Sequence, residues 1–112
     1  MGLQIFGTKK CRNTQKAERY FKERSISYQF VDFAEKSISK GELNNISAVI
    51  PIEDLIDKEG KEYKKKNLQY MNYNVYDVLL ENSLLFKTPI VRDGGKVTYG
   101  HTPDVWKEWL KG

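Results

Sequence analysis

The stretch LQIFGTKKCRNTQKAERYF, residues 3–21, decides the fold because it joins a strand to a helix through a short polar loop. Leu3 to Gly7 begin by alternating apolar and polar residues and stop at a glycine, which is typical of a short strand. From Arg12 to Arg24, apolar side chains recur at helical spacing with charged residues between them, which predicts an amphipathic helix. Cys11 therefore lies at a strand-to-helix junction.

A second strand is predicted directly after this helix. The segment ISYQFVDF, Ile26 to Phe33, alternates strictly and is rich in β-branched and aromatic residues. The first third of the chain is therefore predicted to be β-α-β, and such a crossover between parallel strands is right-handed.

The last third is predicted to be a hairpin followed by a helix. PIVRDGGKVTYG, residues 89–100, contains two short strands around the turn DGG. TPDVWKEWLKG, residues 102–112, follows with Thr102 as the predicted helix cap and Pro103 at the first helical position.

The middle of the chain is predicted to be helical. Ser39, with Glu42 three residues later, matches a capping box at a helix start. Asn74 to Phe86 predicts a helix that stops before Thr88-Pro89, because a residue that precedes proline avoids helical geometry. Two parallel strands, a hairpin and these helices make an α/β fold with a thioredoxin-like mixed four-stranded sheet, in the order β-α-β, helices, β-β-α.

Length and composition narrow the classes of protein that fit. The 112 residues suit one domain, 1–112, since domains usually have ~100–150 residues. No apolar run approaches the ~18–20 residues of a transmembrane helix, and the N-terminus lacks the features of a signal peptide. The net charge of +4 is spread among mixed acidic and basic residues, so we expect neither a nucleic-acid nor a membrane partner. The single cysteine cannot form an internal disulfide, which fits a cytoplasmic location.

Cys11 is the candidate nucleophile. Free amides and the helix dipole favour a negative charge at a helix N-terminus, and Lys10 and Arg12 flank the thiol. Thr14 lies one turn further on, where a helix would bring its hydroxyl near the sulfur. A cysteine in such a setting ionises near neutral pH. The alternative is a buried cysteine that acts as a small hydrophobe, the commoner role of a free cysteine, but the polar neighbours favour the reactive interpretation.

Thr88-Pro89, just before the third predicted strand, is the second local feature. In thioredoxin-like folds a cis proline lies against the active-site cysteine and exposes backbone groups to a bound thiol or peptide. Outside that fold, a proline that simply begins a strand is the simpler interpretation, since only ~5–6% of X-Pro bonds in folded proteins are cis.

Three segments together resemble the arsenate reductase (ArsC) family, which also includes the Spx regulators and the YffB-like proteins. They are IFGTKKCRNTQKAERYFKERSISYQFVDF, EDLIDKEGKEYKKKNL and LLFKTPIVRDGGKVTYGHTPDVW. The resemblance covers essentially the whole chain. It implies a thioredoxin-like sheet with a helical insert, at about residues 38–86, between the second and third strands.

The resemblance also implies roles for single residues. Cys11 occupies the family's catalytic cysteine position, and Thr14 stands where the Spx branch has the second cysteine of its CxxC switch. Arsenate reductases hold the oxyanion with three arginines. The first position falls near Asp57 and Lys58, and the other two are Thr88 and His101, so none is arginine here.

These departures count against arsenate as the substrate, because the fork of an arginine suits an oxyanion better than scattered lysines. Arg92, Lys58, Arg12 and His101 could form a different anion site, with strand alternation deciding which way Arg92 faces. His101 could assist proton transfer beside a thiolate, although a lone histidine in a loop is more often merely exposed.

The function that follows is a thiol-dependent oxidoreductase of the arsenate reductase-like kind. The Cys11 thiolate attacks a disulfide or an oxidised small substrate, and an external thiol such as glutathione, or a redoxin, regenerates it. We expect no bound cofactor and no metal. The alternative is an Spx-like, non-catalytic regulator that binds RNA polymerase and lacks the CxxC switch. A third possibility is a family member whose Cys11 is buried and inert.

Overall fold

Helices cover both faces of a four-stranded sheet in the computed structural model, which describes residues 2–111. The strands are β1 (Leu3–Gly7), β2 (Gln29–Asp32), β3 (Ile90–Asp93) and β4 (Lys96–Tyr99). The α-helices are α1 (Arg12–Glu23), α2 (Lys40–Ser47), α3 (Ile52–Leu55), α4 (Lys61–Lys65), α5 (Val75–Glu81) and α6 (Pro103–Leu110), with short 3-10 helices at Leu68–Tyr70 and Ser83–Leu85.

The sheet has the strand order β2-β1-β3-β4. β1 pairs in parallel with β2 and antiparallel with β3, and β3 pairs antiparallel with β4. Helices α2 to α5 form the insert between β2 and β3. The predicted α/β class and thioredoxin-like sheet are therefore confirmed. No helix within residues 2–111 combines the length and apolar character needed to cross a membrane.

The second strand begins at Gln29, three residues later than predicted. The backbone N–H of Ile26 donates to the Phe21 carbonyl at 2.9 Å, and Ser25 has a φ of 57°. Both residues belong to the turn that ends α1. The alternating pattern of the sequence therefore starts in a turn, and only its later part enters the sheet.

The predicted helix from Asn74 to Phe86 is wrong in its second half, because α5 ends at Glu81. Asn82 has an extended backbone, and its Oδ1 accepts from the Leu84 N–H at 3.2 Å, which starts a separate 3-10 turn. Asparagine offers the backbone such local hydrogen bonds in competition with a helix.

The two predicted helix caps differ in outcome. The capping box is confirmed: Ser39 Oγ accepts from the Glu42 N–H at 3.2 Å, and Glu42 Oε1 accepts from the Ser39 N–H at 3.1 Å. The prediction that the Thr102 side chain caps α6 is wrong, although α6 does begin with Pro103. Thr102 has a ψ of 62°, outside the extended geometry that aims a capping hydroxyl at the first helical N–H groups.

Strand alternation builds a core on each face of the sheet. Phe6 and Ile90 pack against the insert on one face. Ile5 and Val91 pack on the other face, with Trp106 of α6 and apolar side chains of α1. Because β1 and β3 are buried on both sides, the loops at their ends are held in fixed positions.

Gly7 ends β1 directly beneath the first turn of α1. A Cβ added at Gly7 would lie 2.8 Å from Thr14 Cγ2 and nearer still to Oγ1, and Thr14 is fully buried. Only a residue without a side chain lets the helix approach the strand this closely. This contact sets where α1 begins, and therefore where Cys11 lies.

We expect Gly7→Ala to lower the free energy of unfolding by about 1–3 kcal/mol, the usual cost of overpacking a filled site. Gly41→Ala is the matched control, since an added Cβ there has nothing within 4 Å. Its better helix propensity should raise stability by about 0.5–1 kcal/mol. Urea unfolding measures both changes, and a stability of Gly7→Ala equal to the parent's would contradict the close contact.

Candidate active site

Cys11 is the residue that precedes α1, with extended backbone angles of φ −75° and ψ 120°. Its N–H donates to the Thr8 carbonyl at 3.2 Å, and its carbonyl accepts from the Gln15 N–H at 3.0 Å, the first bond of the helix. The thiol is partly buried rather than enclosed. Cys11 is therefore placed at the positive end of the helix and remains reachable from solvent.

Thr88 is the main neighbour of the sulfur. Its hydroxyl Oγ1 donates to Cys11 Sγ at 3.1 Å, and its carbonyl oxygen lies 3.8 Å from the same sulfur. The Thr88-Pro89 peptide bond is cis. The residue that precedes the cis proline therefore contacts the cysteine, the arrangement expected of a thioredoxin-like fold, whereas the sequence alone left the cis bond open.

The pKa of Cys11 lies below its ordinary value. Partial burial is the largest single influence, and it raises the pKa because it disfavours the charged form. Hydrogen bonds from the hydroxyls of Thr14 and Thr88, and from the amides of Thr14 and Asn13, act in the opposite direction and together outweigh burial. Donors aimed at the sulfur therefore stabilise the thiolate.

Thr14 is the least obvious of these donors. Its hydroxyl is buried and makes no well-formed hydrogen bond among the described residues, although it lies close enough to the sulfur to help lower the pKa of Cys11. A buried hydroxyl without a partner is costly. The Thr14 hydroxyl therefore acts on the pKa of Cys11 through a contact that falls short of a well-formed hydrogen bond.

A groove of about 510 Å³ opens over the sulfur. Thr8, Lys10, Cys11 and Thr88 line one side. The insert lines the other side with two acidic residues, one lysine and an apolar strip: Asp57, Glu62, Lys61, Tyr63, Leu84 and Phe86. The family resemblance had pointed to the neighbourhood of Asp57, but sequence reasoning missed the rest of this second wall, because only the three-dimensional path of the insert brings it opposite Cys11.

The structure brings together some of the predicted site residues. Cys11, Lys10 and Thr88 line the groove, Thr14 is buried and close enough to the sulfur to lower its pKa, and Pro89 is buried and follows Thr88 in the chain. Arg12 is exposed on the first turn of α1 and does not line the groove.

The structure does not bring Arg92 or His101 to this groove. Arg92 lines a separate pocket further along β3. The His101 ring packs edge-on against Trp106, with 5.7 Å between the ring centroids, and lines a pocket beside α1. The predicted anion site that combined them with Lys58 and Arg12 is therefore not assembled. No group of three or more potential metal ligands occurs within residues 2–111.

Removing the Thr88 hydroxyl should raise the pKa of Cys11, because the thiolate loses its nearest donor. We expect Thr88→Val to react more slowly with iodoacetamide at neutral pH and to shift the rate–pH curve to higher pH. Thr88→Ser is the control, since it keeps the hydroxyl. An unshifted curve in Thr88→Val would show that this hydrogen bond does not stabilise the thiolate.

The lowered pKa also predicts how stability depends on pH. A group whose pKa is lower in the folded chain stabilises the fold above its unfolded-state pKa, and this contribution is lost as pH falls through the folded-state pKa. The free energy of unfolding of the parent, minus that of Cys11→Ser, should therefore grow as pH rises toward about 8.5, the usual thiol value. Urea unfolding of both proteins at several pH values up to about 8.5 tests this prediction. A stability difference that does not change with pH would contradict a lowered pKa of Cys11.

Comparison with known proteins places this site in a family. The ArsC family model matches residues 6–109. The uncharacterized protein YusI of Bacillus subtilis (strain 168) is 26% identical over 115 residues, which cover 96% of this chain and 98% of YusI. An ArsC family related protein from Bacteroides fragilis has a similar structure, with a TM-score of 0.83, 23% identity and coverage of 96% and 97% of the two chains. An arsenate reductase from Vibrio cholerae gives a TM-score of 0.79 at 21% identity, with 96% and 97% covered. The chain therefore belongs to the ArsC family.

Proposed function

We propose that this chain is a thiol-dependent oxidoreductase in which the Cys11 thiolate is the nucleophile. The observation that carries the proposal is the setting of the sulfur, half-buried at the start of α1 with Thr88 Oγ1 donating at 3.1 Å. The same donors lower the pKa of Cys11. The thiolate is the species that attacks disulfides, so this arrangement favours the reactive form.

The proposed reaction is thiol–disulfide exchange. The Cys11 thiolate attacks one sulfur of a substrate disulfide, a new S–S bond joins Cys11 to that half, and the other half leaves as a thiolate that takes up a proton. A second thiolate then attacks the substrate sulfur of this mixed disulfide. The Cys11 thiolate is released, and the substrate half leaves in a mixed disulfide with the external thiol. A second external thiol then attacks this mixed disulfide, the substrate half leaves as a thiolate that takes up a proton, and the two external thiols end as one disulfide. Two electrons have then passed from two external thiols to the substrate.

The reducing thiol comes from outside the chain, because the sequence contains only one cysteine. Thr14 occupies the position of a second cysteine in a CxxC motif, and its hydroxyl cannot resolve a mixed disulfide. Glutathione is the simplest candidate, with a redoxin as the protein equivalent. Glutathione carries both positive and negative groups. The groove offers Lys10 and Lys61 together with Asp57 and Glu62, which suits such a mixed charge.

The same charges argue against arsenate. An oxyanion in the groove would meet two carboxylates as well as two lysines, and none of the groove-lining residues is arginine. Fixed guanidinium forks hold oxyanions better than lysines do. The arsenate reductase from Vibrio cholerae shares the fold of this chain, and we propose that the thiol chemistry is shared while the oxyanion specificity is not.

Incubation with oxidised glutathione should add one glutathione to the chain, at Cys11, and reduced glutathione should remove it. Peptide mass spectrometry checks the site, with Cys11→Ser as the control. Turnover of a small disulfide with glutathione as reductant should fall on the order of 100-fold or more in Cys11→Ser. Arsenate should be a poor substrate in the same assay.

A chain that forms no adduct and reacts with iodoacetamide no faster than free cysteine would contradict the enzymatic proposal. Copurification with RNA polymerase subunits that persists in Cys11→Ser would then favour the Spx-like regulator.

A further inference from the structure

Arg92 lies on the insert side of the sheet, far along β3 from the cysteine. Ile90 of the same strand packs into the core beneath the insert, and Val91 packs into the opposite core. Arg92 therefore faces the same side as Ile90. It follows Pro89 by three residues, about 10 Å along an extended strand, and it pairs with Gln4 of β1.

A pocket of about 540 Å³ opens at this end of the sheet. Among the described residues Arg92 is the only charged one that lines it, and the uncharged ones include Gln4, Ser27 and Gln29. The pocket shares no lining residue with the groove over Cys11. It is therefore a separate, positively charged site.

One nitrogen of the Arg92 guanidinium, Nη1, is buried and has no hydrogen-bond partner among the described residues. The nearby acids are engaged or face elsewhere: Glu18 accepts from the Tyr28 hydroxyl at 2.9 Å, and Asp93 lines a pocket on the α1 and α6 side. A buried charged donor without an acceptor is costly, and a guanidinium does not lose its proton in proteins. The Nη1 atom itself is closed to solvent, so an anion in the pocket would meet the accessible edge of the guanidinium, whose charge has no ion-pair partner among the described residues.

The neighbours of Arg92 supply further donors. The strand register places Gln29, Gln4 and Arg92 side by side on three adjacent strands. Gln4 Nε2 donates to Gln29 Oε1 at 3.1 Å, and Gln29 Nε2 has no hydrogen-bond partner within residues 2–111. Ser27 lines the same pocket.

We propose that Arg92, Gln29 and Ser27 form a second site, remote from Cys11, which binds the oxyanion group of a small phosphate or carboxylate ligand. The planar fork of an arginine matches two oxygens of such a group. The pocket is open enough for the rest of a small molecule to extend into solvent. This inference does not depend on the thiol chemistry, since the two sites share no residue.

Titration of the full ¹⁵N-labelled chain with inorganic phosphate or acetate, against chloride at matched ionic strength, tests the site. We expect saturable amide shifts at Gln4, Gln29 and Gly94 with at least one of the two anions and none with chloride. Tighter phosphate binding would indicate a phosphate ligand, and tighter acetate binding a carboxylate.

Arg92→Gln should weaken this binding at least about tenfold, because charged hydrogen bonds are lost. Arg19→Gln, an equal charge change on the exposed face of α1, should leave it unchanged, as should Cys11→Ser. Arg92→Lys keeps the positive charge but loses the planar fork of the guanidinium, so it should also bind the anion more weakly. It replaces Arg92→Gln in this test if that variant does not fold. The proposal is overturned if neither anion saturates the parent, if the Arg92 variants bind as tightly as the parent, or if Cys11→Ser abolishes binding.

Discussion

The contact between Gly7 and Thr14 is the constraint on which the rest of the site depends. The absence of a side chain at Gly7 lets the first turn of α1 rest on the end of β1. Cys11 immediately precedes that turn, so its position follows from this packing. Because β1 is buried on both faces, the strand that supports the contact is itself held by the two cores.

The lowered pKa of Cys11 arises from a balance of opposing effects. Partial burial disfavours the charged form, yet the same packing brings two hydroxyls and two amides close to the sulfur, and these donors lower its pKa. Thr14 takes part in both effects. Its side chain fills the space under the helix and so belongs to the packing that buries the sulfur, and its hydroxyl is one of the donors. A more exposed thiol would avoid the cost of burial but would also lose these donors.

The sequence was sufficient for the fold, and for the part of the site that lies near Cys11 in the chain. Local patterns located the first strand, the first helix and the hairpin, and the fold context paired Cys11 with Pro89. The sequence left open which way Arg92 faces, and the register of β3 against β1 places it beside Gln4, about 10 Å along the strand from Pro89. The resemblance pointed to the neighbourhood of Asp57, but the rest of the insert wall was beyond reach, because Glu62 and Phe86 meet the cysteine only through the path of short helices whose ends depend on local bonds such as those of Asn82.

The groove over Cys11 has two walls of different origin. The cysteine and its donors come from the loop after β1, the first turn of α1 and Thr88 before β3, whereas the opposite wall comes from the insert, from Asp57 after α3 to Phe86 after α5. Under the proposed function, reactivity and molecular recognition are thus encoded in separate stretches of the gene. Exchanging the recognition segment among relatives offers evolution, or an engineer, a route to new specificity that leaves the chemical step intact.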